Sequence, residues 1–223
     1  VKSVNPKDLL VILAKEPRLR LAKTRLAADI GSEAALRLAE AFVLDTLELA
    51  RASGHPVLIA YAPTDGGPWF KERAPWALRW AQPEGGFGER LHGATLEAFR
   101  RGFKRCVIMG MDTPHLPHGV VREAFRALDA SDVCLGPASD GGYYLIGLTA
   151  DAPTLFRKIP WSTSAVLGAT LMRCAKAGLT VSMLEEEFDV DDARSLAALA
   201  ATLEERPEVA PLTRALRPFP RKS

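Results

Sequence analysis

Cysteine is scarce in this chain: three in 223 residues, at Cys106, Cys134 and Cys174. The odd number and wide spacing argue against a disulfide framework. Two of the three lie inside apolar runs, so they read as small buried hydrophobes in a reducing compartment. No apolar run approaches the roughly 20 residues that a membrane span requires, and no basic-then-apolar signal opens the chain. Charge of one sign is lacking as well. Against 29 lysines and arginines stand 27 acidic residues, and a formal net charge of +2 gives no bulk electrostatic case for nucleic acid or an anionic membrane. There is no Walker spacing of glycines before a lysine, no GxSxG elbow, no Cys–His nucleophile pair and no internal repeat. His115 and His118 stand at i and i+3 but have no acidic or cysteine partner at suitable spacing, so zinc is rejected. The expectation is a soluble cytoplasmic protein without nucleic acid or membrane partners.

What is present alternates. "DLLVILA" (8–14), "HPVLIAYAP", "WALRWAQ", "RCVIMG", "DVCLGPA", "YYLIGL" and "LTVSMLE" read as strands, several of them apolar enough to be buried on both faces. Helical spacing falls between them. One helix is expected after Ser32 as a candidate cap, with Gly54 as its stop; others run over 89–101, 120–128, 164–177 and 192–205. Strand–helix alternation predicts an α/β fold with a mostly parallel sheet covered on both faces. Residues 1–205 read as one unit. The Pro/Arg-rich tail 206–223 reads as an arm lying on the surface or on a second copy in a homodimer, with its last residues disordered.

In open parallel sheets ligands bind at the carboxyl ends of the strands, so the segment after each strand carries the functional signal. After the first comes "KEPRLRLAKTRL", with Lys15, Lys23, Thr24 and Arg25; after the third, "QPEGGFGER", with Gln82, Gly85, Gly86 and Arg90. "MDTP" comes after the fourth strand and "GPASDGG" after the fifth, supplying Asp112, Asp140, Gly141 and Gly142. "EEEFDVDD", with Asp189 and Asp191, comes after the last. Cations beside carboxylates and glycine loops suit a phosphate–metal complex. Lysine and arginine neutralise phosphoryl oxygens, glycine lets backbone N–H groups approach, and aspartates hold a hard cation such as Mg²⁺ or Mn²⁺.

Each feature has a plainer alternative. Asp112 either ligates metal or caps the turn through Thr113. The basic loop either holds phosphates or is a solvated charge run. Gln82 either reads a nucleobase edge or is a buried glutamine bonded to backbone, and "EGGFG" is either a ligand loop or a tight turn. Of Tyr143 and Tyr144, at least one belongs to the core. Ser162 or Thr163 caps the next helix, and Trp161 is a candidate pocket wall.

The motifs "AKEPRLRLAKTRL", "GGFGERL", "IMGMDTPHLP", "LGPASDGGYYLIGL", "IPWSTSAVLGATL" and "DVDDARSL" occur in this order over about residues 9–196. In this the chain resembles a bacterial glycosyltransferase-like family, the radical-SAM/selenodomain-associated or arsenosugar-biosynthesis-associated transferases. It is more distantly similar to molybdenum-cofactor and 2-phospholactate nucleotidyltransferases. The resemblance implies a Rossmann-like three-layer α/β/α sandwich of the GT-A, nucleotide-diphospho-sugar transferase type. It also implies a nucleoside triphosphate or NDP-sugar donor with a small-molecule acceptor, phosphate contacts from Lys15, Lys23 and Arg25, and metal at Asp112, Asp189 and Asp191. Asp140, Gly141 and Gly142 would then meet the second substrate or the sugar. The family's first loop usually carries a proline–glycine pair where this chain has Leu19 and Arg20, a departure that sets a catalytically silent nucleotide- or sugar-phosphate-binding protein beside the transferase, of glycosyl or nucleotidyl groups, as the alternative reading.

Overall fold

The computed structural model describes residues 7–217 and 219. Its centre is a seven-stranded sheet in the order β3-β2-β1-β4-β6-β5-β7. β1 (Asp8–Lys15), β2 (Val57–Ala62), β3 (Leu78–Ala81) and β4 (Arg105–Met109) are parallel neighbours. β5 (Val133–Pro137) pairs in parallel with β7 (Val181–Met183), while β6 (Tyr143–Leu148) runs antiparallel between β4 and β5. The sheet is thus mostly parallel, with one strand reversed.

Alternation along the strands divides the core in two. Leu10, Ile12, Val57, Ile59, Val107 and Met109 face one layer, which contains α2 (Ser32–Ala52), α3 (Gly67–Arg73) and α5 (Val120–Ala127). Leu9, Val11, Leu58, Cys106, Ile108 and Ile146 face the other, with α4 (Phe87–Arg100) and α6 (Val166–Ala177). β1 carries buried side chains on both sides because both faces are covered, which is why it reads as a continuous apolar run. The three cysteines are free and buried; burial pushes the Cys106 thiol up, and the Cys134 thiol up to about 12.

A third, smaller core lies beside the sheet. Leu26 of α1 (Thr24–Ile30) packs with Leu38 and Phe42 of α2 and with Leu196, Leu199 and Leu203 of α7 (Ala193–Glu205). The arm folds back onto it through α8 (Pro211–Ala215). There the buried Asp45 accepts hydrogen bonds from Leu212 N (3.0 Å), Thr213 N (2.8 Å) and Thr213 Oγ1 (2.6 Å). Burial raises the Asp45 carboxyl against the pull of those donors. The arm therefore packs on its own chain through residue 217, and the expected disorder of the last residues falls on positions 218 and 220–223, outside those described.

Several local expectations are corrected. α1 and α3 were legible only as loop. Ser32 is the first residue of α2 rather than its cap, a place held by Gly31, whose φ of 89° suits glycine. Neither Ser162 nor Thr163 caps α6: Thr163 Oγ1 instead accepts from Ala165 N at 3.3 Å and donates to Pro160 O at 2.7 Å, closing a turn one step earlier.

Candidate functional site

The acidic segment after β7 is placed by backbone pairing. Glu187 bridges to Ala138 in parallel at the end of β5, and Val190 N donates to Asp112 O at 2.8 Å. These ties carry Asp189 and Asp191 to the loop after β4. From the other side comes Lys23, which enters α1 with a left-handed φ of 45°. Its ammonium pairs with Asp112, lies 3.0 Å from Asp191 Oδ1, and donates to Val190 O at 2.8 Å. Only 9% of the Lys23 side chain is exposed, and its ammonium lies 5.5 Å from the centre of the Phe42 ring. Burial pushes its pKa down, but Asp112 and Asp191 outweigh that and raise it. Arg25 bonds the other oxygen of Asp191 at 2.7 Å.

A basin of about 270 Å³ opens over this group, lined by Lys15, Lys23, Thr24 and Arg25 together with Glu16, Asp112 and Asp191. A smaller inner cavity of about 160 Å³ adjoins it, sharing Asp112 and adding Thr113 and Asp189. Asp112, half exposed, thus stands between two spaces. It does not cap through Thr113, whose hydroxyl donates to Asp189 Oδ1 at 2.6 Å. Burial raises the Asp189 carboxyl to about 6 against that hydrogen bond, and the charges of Asp112, Asp191 and Asp140 push the same way.

Asp140 lines neither cavity, although its charge acts on Asp189; its Oδ1 accepts from Gly142 N at 2.8 Å. Gly141 has a φ of 89°, and a Cβ there would overlap the backbone of Ser164. The paired glycines therefore seat the start of α6 against this loop, helped by the 2.9 Å bond from Leu167 N to Gly141 O. Both tyrosines line the inner cavity; Tyr144 is also a core residue, its hydroxyl donating to Glu185 O at 3.1 Å.

The third loop is different. Gln82 is buried, and its amide donates to Ala60 O at 2.6 Å, so the plainer reading is the observed one. Gly85 holds a φ of 129° and Gly86 N donates to Glu89 Oε2 at 2.8 Å, a helix-entry turn whose N–H is already used. Arg90 lies with its guanidinium 5.9 Å from the Phe87 ring. Trp161 packs edge-on against Phe87, with ring centres 5.0 Å apart, and over Gly88, in a separate outer groove away from the basin. Gln82, Gly85, Gly86, Arg90 and Trp161 are thus not brought to the lysine-lined basin.

Two features near the site were not legible. His115, fully buried and stacked on Phe188 at 4.1 Å, has Nε2 3.2 Å from Glu187, which Arg206 also bonds at 2.7 Å. Arg18 is held by Glu16 at 2.5 Å and by Asp65 at 2.8 Å, so this first-loop cation braces the loop. Arg20 stands where the resembling family has glycine, and it adopts a φ of 64°, keeping the left-handed turn that glycine would make without strain.

Among the described residues no group of three or more histidine, cysteine or acidic side chains is arranged to hold a metal ion. The donor chemistry nevertheless suits a hard cation. Magnesium is commonly bound by one or two carboxylates plus substrate phosphates rather than by an all-protein cage. Asp112 and Asp189 line one cavity, while both oxygens of Asp191 are taken by Lys23 and Arg25.

Fold and site together define a three-layer α/β/α protein of the nucleotide-diphospho-sugar transferase, GT-A, type. Residues 44–163 match the family described as "Uncharacterized protein conserved in bacteria (DUF2064)", and the chain belongs to it. A crystal structure from Desulfovibrio desulfuricans G20, provisionally named a nucleotide-diphospho-sugar transferase, is 34% identical with a TM-score of 0.88, covering 95% of this chain and 94% of that one. 4-Diphosphocytidyl-2C-methyl-D-erythritol synthase is 13% identical with a TM-score of 0.58, covering 90% of this chain and 100% of that one. CMP:2-keto-3-deoxy-manno-octonic acid synthetase, solved with CTP, is 14% identical with a TM-score of 0.53, covering 89% and 99%. At such identities the last two share the fold. No curated protein matches the chain. No helix among the described residues is long and apolar enough to cross a membrane.

Proposed function

We propose that the protein is a nucleotide-dependent transferase, acting by glycosyl transfer from an NDP-sugar with Mg²⁺ or Mn²⁺ as cofactor. The observation that carries this reading is the meeting of Lys23 with Asp112 and Asp191 beneath a basic basin at the carboxyl ends of β1 and β4. The 34% identical relative's provisional name agrees with it. The finer placement among radical-SAM/selenodomain-associated transferases rests on the motif order alone.

In this reading Lys15, Lys23 and Arg25 receive the diphosphate, and Thr24 lines the same wall. Asp112 and Asp189 would hold the divalent cation, which would supply charge neutralisation to the phosphoryl oxygens of the leaving group. The acceptor hydroxyl oxygen bonds the sugar C1 as the C1–O bond to the diphosphate breaks. The leaving nucleoside diphosphate takes that electron pair, and the hydroxyl proton passes to Asp140. No covalent nucleophile is needed; positioning and charge stabilisation supply the rate.

Nucleotidyl transfer is the second reading, favoured by the fold shared with the CTP-bound synthetase and by a basin rich enough in cations for a triphosphate. Product analysis separates the two. Nucleoside diphosphate released from an NDP-sugar supports the first, pyrophosphate released from a nucleoside triphosphate the second, and neither product with any donor overturns both.

A further inference from the structure

We propose that the inner cavity receives the acceptor and selects an uncharged alcohol whose apolar body is about the size of one six-membered ring; this rests on the transferase reading above. The two spaces sharing Asp112 have opposite chemistry. Every cation at the site faces the outer basin. The inner cavity is walled by Phe87, Leu91, Ile108, Tyr143 and Leu145, and among the described residues no lysine, arginine or histidine lines it. Among the described residues, its only charged groups are Asp112 and Asp189. Lys23 is already shared between Asp112 and Asp191, and in the transferase reading the divalent cation on Asp112 and Asp189 is met by the donor's diphosphate, so no further cation remains for a phosphate or carboxylate on the acceptor, whereas a hydroxyl asks for none. The volume, about 160 Å³, is close to that of an apolar cavity of about 150 Å³ that holds benzene.

A second observation comes from Gly110, which directly succeeds β4 and lines this cavity. Its backbone is not in the left-handed region, and a Cβ built on it meets no protein atom within 4 Å. Neither conformation nor packing asks for glycine there. Gly141, by contrast, has both reasons. The open space beside Gly110 is therefore space for a ligand, and residue 110 sets how large that ligand is.

The test is a fluorine NMR titration of 4-fluorobenzyl alcohol and of 4-fluorobenzyl phosphate, with magnesium and saturating pyrophosphate in place of the donor's diphosphate, on the wild-type chain, Gly110→Ala and Gly110→Val. Pyrophosphate binding to each is measured by calorimetry. The alcohol is expected to bind the wild type about tenfold or more tightly than the phosphate, to lose a few-fold in Gly110→Ala and about tenfold or more in Gly110→Val. Pyrophosphate affinity stays within about twofold throughout, which also shows that the variants fold. Binding of neither probe, equal or tighter binding of the phosphate, or undiminished alcohol binding by a folded Gly110→Val each overturns the proposal. A wild type that binds the alcohol but no pyrophosphate contradicts the nucleotide reading alone.

Discussion

Lys23 and Asp191, 168 residues apart in sequence, are joined by a 3.0 Å ion pair, and the same ammonium closes on Asp112. Three segments are locked there by one buried cation. Lys23→Met leaves two carboxylates facing each other, partly relieved by water because Asp112 is 51% and Asp191 34% exposed. The expected loss is about 1–2 kcal/mol, below the cost of breaking a fully buried pair. Urea unfolding of the variant and wild type at pH 7 measures it. No change in stability would mean that the pair does not hold the three segments.

Arg20 carries a φ of 64° for which it has no steric excuse. Arg20→Gly is expected to stabilise the chain by about 1 kcal/mol, since the left-handed cost of a residue with a Cβ is about 1–2 kcal/mol and part of it is offset by glycine's greater unfolded entropy. A shift of the urea midpoint to higher concentration at constant slope checks this. A lower midpoint would show that the guanidinium contributes more than its backbone costs.

Gly141 and Gly142 are adjacent and should behave unlike. Gly141→Ala combines a φ of 89° with overlap of the Ser164 backbone, and the expected destabilisation is at least about 2 kcal/mol. At Gly142 a Cβ meets the Asp140 carboxylate tip at 3.1 Å, which a side-chain rotation relieves, so Gly142→Ala should cost less than about 1 kcal/mol. Thermal unfolding of the pair decides it; equal losses would contradict the packing described.

His55 is buried against Phe125, with ring centres 4.4 Å apart, and faces Asp8, Arg105 and Arg122. Burial holds its pKa below the ordinary 6.5, so the unfolded chain binds the proton more readily. Stability is therefore fully present above pH 6.5 and falls as the pH drops below it, until the folded-state histidine also titrates. His55→Gln should flatten this part of the profile. Unfolding free energies measured between pH 5 and 7.5, about the window in which an unperturbed histidine changes charge, give the comparison. A variant profile as steep as the wild type's would assign the slope to other groups.

Most of the architecture was legible because its signals are local. The buried parallel strands are continuous apolar runs, and α4 and α7 begin close to where helical spacing puts them. The central convergence of Lys23, Asp112 and Asp191 was legible because each lies just beyond a strand at the same edge. The first loop hid α1, since its charged residues mask a helix that buries little beyond Leu26. Gln82 could not be placed from sequence because an amide at a strand end satisfies its neighbour's carbonyl as readily as a ligand. Asp45, by contrast, carried a readable sign: a lone carboxylate between Phe42, Val43, Thr46 and Leu47 on the buried face of α2 needs a partner, here the N-terminus of α8.

The decisive measurement is calorimetric titration of the wild type and Lys23→Met with nucleoside triphosphates and NDP-sugars in the presence of Mg²⁺. At least one nucleotide is expected to bind the wild type, with about tenfold or greater weakening in Lys23→Met. Wild-type affinity retained by a folded Lys23→Met, or no binding of any nucleotide by the wild type, would contradict a phosphate site at this basin.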